Sequence, residues 1–157
     1  MKRLLGYIVL LSWALWLGGM IALFIFVQRL FGYSRPLAMD AAPLLFETFE
    51  RYQLALGGVA IVAAVLWLVT GLRAVTFLLL LLLGLSTAGA VYSRMSITPR
   101  MQTLRAEGQS GGEEFKALHG RSMAVYVGQA GLLTLGGLLL PSALQRTKAS
   151  PSPNQKA

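Results

Sequence analysis

The sequence has no cysteine and one histidine, His119. The missing thiols exclude disulfides, thiol nucleophiles and thiolate metal sites, and leave the redox compartment open. Charge is scarce as well. Only 13% of the 157 residues are Asp, Glu, Lys or Arg, against about 25% in an average soluble domain. The six carboxylates, Asp40, Glu47, Glu50, Glu107, Glu113 and Glu114, all fall outside the apolar runs. Proton-coupled transport usually places an acid within the membrane, so a small-molecule or ion transporter, carried here as one alternative, lacks its residue. No Walker A, HExxH, GxSxG or CxxC spacing occurs, and with these go the commonest catalytic templates. A non-enzymatic protein is the expectation, with no catalytic residue.

What is abundant is apolar surface: 55% of the chain is hydrophobic. Four windows carry no charge at all, Leu4–Gln28, Tyr52–Leu72, Ala74–Ser93 and Ser122–Gln145. A helix of about 20 apolar residues spans the hydrocarbon core, and a lysine or arginine at its centre costs roughly 2.5–3.5 kcal/mol. Fourteen basic residues, none inside a window, is the pattern that cost produces. The fold expected is an all-α integral membrane protein. It is a four-transmembrane-helix bundle over residues 1–145, with spans near 4–28, 52–72, 74–93 and 119–140. An interfacial amphipathic helix precedes helix two, a short helical loop precedes helix four, and residues 146–157 form a disordered polar tail. The net charge of +8 then lies in termini and connections, where the lipid bilayer and anionic lipid headgroups are its partners. Nucleic acid is excluded, because no clustered basic face with interleaved aromatics exists on a soluble domain.

Along the chain, Met1-Lys2-Arg3 precedes an apolar run too long for a signal peptide, whose core is about 7–15 residues, so a retained first span is expected. Gly18 and Ala22, four apart, invite a neighbouring helix. Trp13 and Trp16 sit in mid-span, where they either pack in the core or line a bound ring or lipid. Between Arg29 and Arg51 the spacing of Leu37, Ala41, Leu44, Leu45, Thr48 and Tyr52 predicts an amphipathic helix lying at the interface, with Glu47 and Arg51 as an i,i+4 pair. Gly71-Leu72-Arg73 predicts a tight hairpin. Thr98-Pro99 either caps a separate helix ending at Gly108 or kinks a prolonged third helix. Ser110 and Glu113 have capping-box spacing, and Pro141 ends the last helix.

That last helix carries two stripes. His119, Ser122, Tyr126 and Gln129 fall within about 80° of one another, and Gly120, Ala124, Gly128 and Gly131 lie nearly opposite. Polar side chains facing lipid would stay unsatisfied at several kcal/mol each, so the first stripe faces protein or a water-filled recess. The small stripe calls for a close helix neighbour, within the chain or in a homo-oligomer. Arg100, Arg105 and Arg121 beside it could hold an anionic headgroup. His119 with Met123 or Met101 is the one set able to ligate copper or haem iron, which makes a haem- or copper-handling redox protein a second alternative. Otherwise neither metal nor cofactor is expected. Basic residues number eight on the side of loops one and three and six on the other, a count that fixes no orientation. The basic amino terminus favours both termini in the cytoplasm, at a bacterial plasma (inner) membrane.

Several of these residues form a recognisable order. Trp16, Leu17, Gly18 and Gly19 come first, then Phe24, Phe26 and Phe46, then Pro99-Arg100-Met101 with Leu104-Arg105, and last Phe115-Lys116, Leu118-His119-Gly120 and Ser122. The chain resembles the transmembrane protein 205-like family of the DUF4149 type over roughly Leu10 to Leu140. It is more remotely similar to four-helix membrane proteins of the copper-resistance D type and haem-dependent protoporphyrinogen oxidases, which depend on several histidines where this chain has one. The first resemblance implies a helical membrane domain and no particular reaction. Together these readings predict a bundle that binds a lipid or small amphiphile or supports a membrane complex, with a polar cluster of Arg100, Arg105, His119, Ser122, Tyr126, Gln129, Glu47 and Arg51.

Overall fold

A computed structural model describes residues 2–71 and 74–148. It contains α1 (Lys2–Tyr33), α2 (Arg35–Val69), α3 (Ala74–Tyr92), a five-residue π turn (Ser93–Ile97), α4 (Thr98–Ala106) and α5 (Glu113–Lys148). Four helical rods result, since α3, the π turn and α4 run on as one helix from Ala74 to Ala106. Each rod packs on its neighbours in cyclic order: α1 on α2, α2 on α3, α3 on α5, and α5 back on α1. This is the up-down-up-down arrangement that short connections allow. All four rods are long and apolar enough to cross a membrane.

The rods overrun the uncharged windows. At 1.5 Å per residue, helices of 32 to 36 residues are about 50 Å long, against about 30 Å of hydrocarbon. The charged stretches 29–51 and 94–118 continue the rods beyond the uncharged windows, at one end of the bundle. The segment expected to lie flat at the interface is instead the first half of α2. It stands against the end of α1, where Leu23 and Val27 meet Ala42, Phe46 and Phe49. One residue makes the connection. Ser34 is extended (φ −154°, ψ 110°) and Pro36 takes the first turn of α2, where a missing N–H costs nothing.

Prolines lie inside the rods, and one of them overturns an expectation. Pro43 sits inside α2. Pro141 sits inside α5, which continues to Lys148, so residues 146–148 of the expected tail are helical; the remainder of that tail lies outside the described residues, as do Leu72 and Arg73 of the expected hairpin turn. Of the two readings of Thr98-Pro99, the prolonged third helix is the one found. The π turn before Pro99 closes with the Thr98 N–H on the Ser93 carbonyl, a widened register that accommodates a disturbance in the i→i−4 ladder. Ser110 caps nothing, since α5 begins three residues later at Glu113. The end of α4 is as expected. Gly108 is left-handed (φ 72°), and the Gly108 and Gln109 N–H groups bond the Arg105 and Leu104 carbonyls, a Schellman closure that favours glycine.

Burial follows a strict stripe. In α1 the buried residues are Gly6, Val9, Ser12, Trp16, Met20, Leu23 and Val27, and in α3 they are Thr76, Leu79, Leu83, Ser86 and Ala90. Steps of three and four give the 3.5-residue period of a left-handed supercoil. The inward stripe is no more apolar than the outward one. Ser12, Gln53, Thr76, Ser86 and Gln129 are buried, while Leu11, Phe26, Val62, Phe77 and Leu138 are exposed. That inversion suits lipid on the outside and small, close-packing residues inside.

Glycines set the closest approaches, and they are not the ones the spacing in span one suggests. A side chain at Gly18 would meet nothing, whereas one at Gly19 would strike the Phe49 ring at 2.8 Å and one at Gly57 the Thr87 hydroxyl at 2.7 Å and the Trp16 ring at 3.2 Å. Gly57→Ala should lower stability by about 1–3 kcal/mol through overpacking. Gly18→Ala should stay within roughly 0.5 kcal/mol of wild type or gain slightly from helix propensity. Thermal unfolding in detergent would measure both; equal midpoints for the two variants would refute this packing.

Candidate functional site

The mid-membrane polar side chains form a set of interhelical bonds. Trp16 donates its indole N–H to Gln53 Oε1 (3.3 Å), joining α1 to α2. Trp13 donates to the Leu133 carbonyl (2.6 Å), joining α1 to α5. Gly137, one turn further on, makes that carbonyl reachable, since any side chain there would collide with the Trp13 ring. Gln129 donates to the Ser86 carbonyl (2.8 Å) and lies 3.3 Å from where a Cβ on Gly89 would be. Tyr126 donates to the Met20 carbonyl (2.5 Å) and meets Phe46 edge-on. The tryptophans are thus core packing with a polar tip satisfied, and the polar stripe of α5 faces protein through Tyr126 and Gln129. His119 is exposed and Ser122 half-buried. Gly120, Ala124, Gly128 and Gly131 are exposed, and among the described residues nothing lies within reach of a Cβ at the three glycines.

At the polar end, charges clip the rods together. Arg100 holds Glu114 through two bonds, Nε to Oε1 (2.6 Å) and a terminal nitrogen to Oε2 (2.8 Å), and so ties α4 to α5. That guanidinium holds the Glu114 carboxyl below the usual carboxylate range. Arg105 lies 5.3 Å from the Phe115 ring centroid, a cation–π contact across the same gap. Partial burial pulls its pKa down, and it remains a cation. Two of the three arginines expected to receive an anionic headgroup are therefore engaged within the chain, and Arg121, the third, is exposed on α5.

The densest cluster joins α2 to the π turn. Glu47 accepts from Arg51 (2.8 Å) and from Gln102 (3.1 Å). Glu50, one turn on, accepts from the Thr98 hydroxyl at Oε1 (2.5 Å). One Arg94 nitrogen stands between the two carboxylates, 3.5 Å from Glu47 Oε1 and 3.6 Å from Glu50 Oε2. Glu50 is 9% exposed, and its Oε2 has no hydrogen-bond partner among the described residues. An enclosed acceptor left unbonded costs about 1–3 kcal/mol. Desolvation accordingly pushes the Glu50 carboxyl up, against the opposing pull of Thr98 and Arg94 and with the Glu47 charge adding to the rise. At Glu47 the bond from Arg51 dominates and the shift is downward.

Sequence reading named Glu47 and Arg51 here and missed Glu50, Arg94, Thr98 and Gln102. One signal for them existed: Glu47 and Glu50, three apart, share a helix face, and Arg94 is the first charge after an apolar window. Met101 is buried at 8% exposure and Met123 is 37% exposed, while His119 is exposed. One donor is enclosed and two are open, which does not fit a pair of facing axial ligands for haem or a compact copper site. Among the described residues no three His, Cys, Asp or Glu side chains group to hold a metal.

An all-helical chain with four membrane-length apolar rods and satisfied polar groups between them is an integral membrane helical bundle. The chain belongs to the DUF4149 family, described as a domain of unknown function, whose model matches residues 11–110. Within that range Trp16, Gly19, Met101 and Leu104 are packing positions, Gly18 faces outward, and Pro99 follows the π turn. The Phe115, Leu118 and His119 positions fall beyond the matched range. No curated protein and no solved structure matches the chain.

The carboxylates respond to pH in opposite directions. Glu114, with its lowered pKa, stabilises the fold above the ordinary glutamate value and loses that contribution as pH falls through its own pKa. Glu50, with its raised pKa, favours the fold at low pH and loses that contribution as pH rises through its own pKa. Glu50→Gln should therefore gain stability relative to wild type at pH 7 compared with pH 4. A stability difference that is constant across this range, or larger at pH 4, would contradict the burial described.

Proposed function

We propose that this protein is a non-enzymatic membrane bundle that holds the apolar tail of a lipid or similar amphiphile between α2 and α3. The supporting observation is a groove of about 430 Å³ lined by Ile61 and Val65 of α2 and Phe77, Leu80, Leu81, Gly84 and Leu85 of α3. Its size lies within the ~300–1,000 Å³ of ordinary ligand sites, and its lining carries no polar side chain. It opens outward, since Val65, Phe77, Leu81 and Leu85 are all exposed at 40% or more. A Cβ at Gly84 would meet only open space, so the groove owes part of its volume to that residue.

Native mass spectrometry on protein extracted gently from its own membranes tests the reading. Wild type should retain lipid. Gly84→Leu, whose Cβ enters open space, should retain about tenfold less, equivalent to roughly 1.4 kcal/mol. Replacing Arg100, Arg105 and His119 together by Ala should leave retention unchanged. Equal retention in Gly84→Leu at an unchanged melting temperature would overturn the proposal. A bound protein in place of lipid would favour the second role expected of such a bundle, support of a membrane complex.

We place both termini on the cytoplasmic side of a bacterial plasma membrane, a reading supported by Lys2 and Arg3 ahead of the first span. The absence of cysteine gives a clean test. Ser110→Cys, in the connection between α4 and α5, should react with a membrane-impermeant maleimide added outside intact cells; protection there with labelling only after lysis would reverse the orientation.

A further inference from the structure

We infer that Glu50 is a proton-binding site whose occupancy clamps or releases the π turn between α3 and α4. The geometry carries this independently of the lipid groove. Arg94 lies inside the turn and Thr98 directly follows it, and the one Glu50 carboxyl engages both, Oε1 with the Thr98 hydroxyl and Oε2 with the Arg94 guanidinium. Thr98 also supplies the N–H that closes the turn on Ser93. The carboxyl thus bridges the two ends of the irregular stretch from a neighbouring helix, two residues outside the second span.

The bridge is unevenly made. Among the described residues Oε2 is enclosed without a hydrogen bond, and the partner it has there is a guanidinium nitrogen 3.6 Å away that lies as close, 3.5 Å, to Glu47. A proton on Oε2 removes a poorly solvated charge. Arg94 then has Glu47 as its remaining carboxylate, and Thr98 donates to a neutral acid, a weaker acceptor than a carboxylate. Both holds on the turn loosen at once. π turns are frequent at functional sites and differ from the α register by one residue, which makes this stretch the natural place for a displacement.

The groups facing Glu50 support a single titration. From α2 itself Glu47 raises its proton affinity and Arg51 is taken up by Glu47. From the π turn Arg94 lowers it. From α4 come the uncharged Thr98 and Gln102, the latter bonded to Glu47. α1 meets this part of α2 through Leu23 and Val27. From α5, Tyr126 packs on Phe46 with its hydroxyl on Met20.

Infrared difference spectroscopy and hydrogen exchange on the full chain in lipid nanodiscs test the site. Wild type should show a protonated-carboxyl C=O band that titrates above the ordinary glutamate range, Glu47→Gln should keep the band with a lower midpoint, and Glu50→Gln should lack it. Thr98→Val, which removes the donor to the carboxylate, should move the band's midpoint higher still. Corrected for intrinsic rates, amides 94–101 should exchange about tenfold faster once Glu50 is protonated, and Glu50→Gln should show the fast rate at every pH. A band that survives in Glu50→Gln, a midpoint at or below the ordinary value, or exchange in this stretch that does not follow the band would each overturn the proposal. Loss of lipid in Gly84→Leu has no bearing on any of these readouts.

Discussion

A hydroxyl, an amide or an indole N–H in the hydrocarbon core has no water to turn to, and leaving it unpaired costs several kcal/mol. In this bundle that constraint sorts inside from outside more sharply than hydrophobicity does. Leucine, valine and phenylalanine can face lipid at no cost, and many do. Trp13, Trp16, Gln53, Tyr126 and Gln129 turn inward, and four of their bonds cross between helices. Three of the four acceptors are backbone carbonyls already serving a helix. Such an oxygen has a second lone pair, but a side chain one turn on normally covers it. Glycine at 137, and at 89 beside the Ser86 carbonyl, removes the cover. The small residues and the polar residues of the spans are therefore one device: the first admit the second.

Outside the hydrocarbon the same rods continue, and charge takes over from close packing. Arg100 with Glu114 and Arg105 with Phe115 hold α4 to α5. Glu47 and Glu50 hold the π turn to α2. The exposed pairs are each worth little in water, about 0–1 kcal/mol. Their effect is on register, because a bidentate arginine fixes an angle as well as a distance. Glu50 differs in being enclosed, so its charge state changes the balance where the others only decorate it.

The spans were legible in the sequence because charge is excluded from them at a cost large enough to leave an unmistakable gap. The Schellman glycine at 108 was legible because its conformation favours a residue without a Cβ. The α5 stripe was legible in its second half, where Tyr126 and Gln129 lie deep in an apolar run and face protein; His119, at its start, is exposed. Helix ends were not. Pro141 and Pro99 are strong stop signals in water, but in a bilayer neighbouring helices and π turns take up the lost bond. The first half of α2 reads as amphipathic whether it lies on lipid or stands against α1, since both bury one face. The Glu50 cluster was hidden for a different reason. Its members come from positions 47–51 and 94–102, and no local pattern brings those together; only the antiparallel pairing of α2 with α3 does.

That clustering also gives most of the basic residues at this end a structural task. Of the eight on the side of loops one and three, Arg51, Arg94, Arg100 and Lys116 pair with carboxylates and Arg105 covers a phenyl ring. The positive-inside rule counts Lys and Arg whatever their acidic partners, since Asp and Glu contribute little to it. Eight against six therefore stays an even balance. What the pairing does show is a second reason for a cation to sit at that end: Arg51, Arg94, Arg100, Arg105 and Lys116 are each placed by a contact within the chain, so their positions record packing as much as insertion.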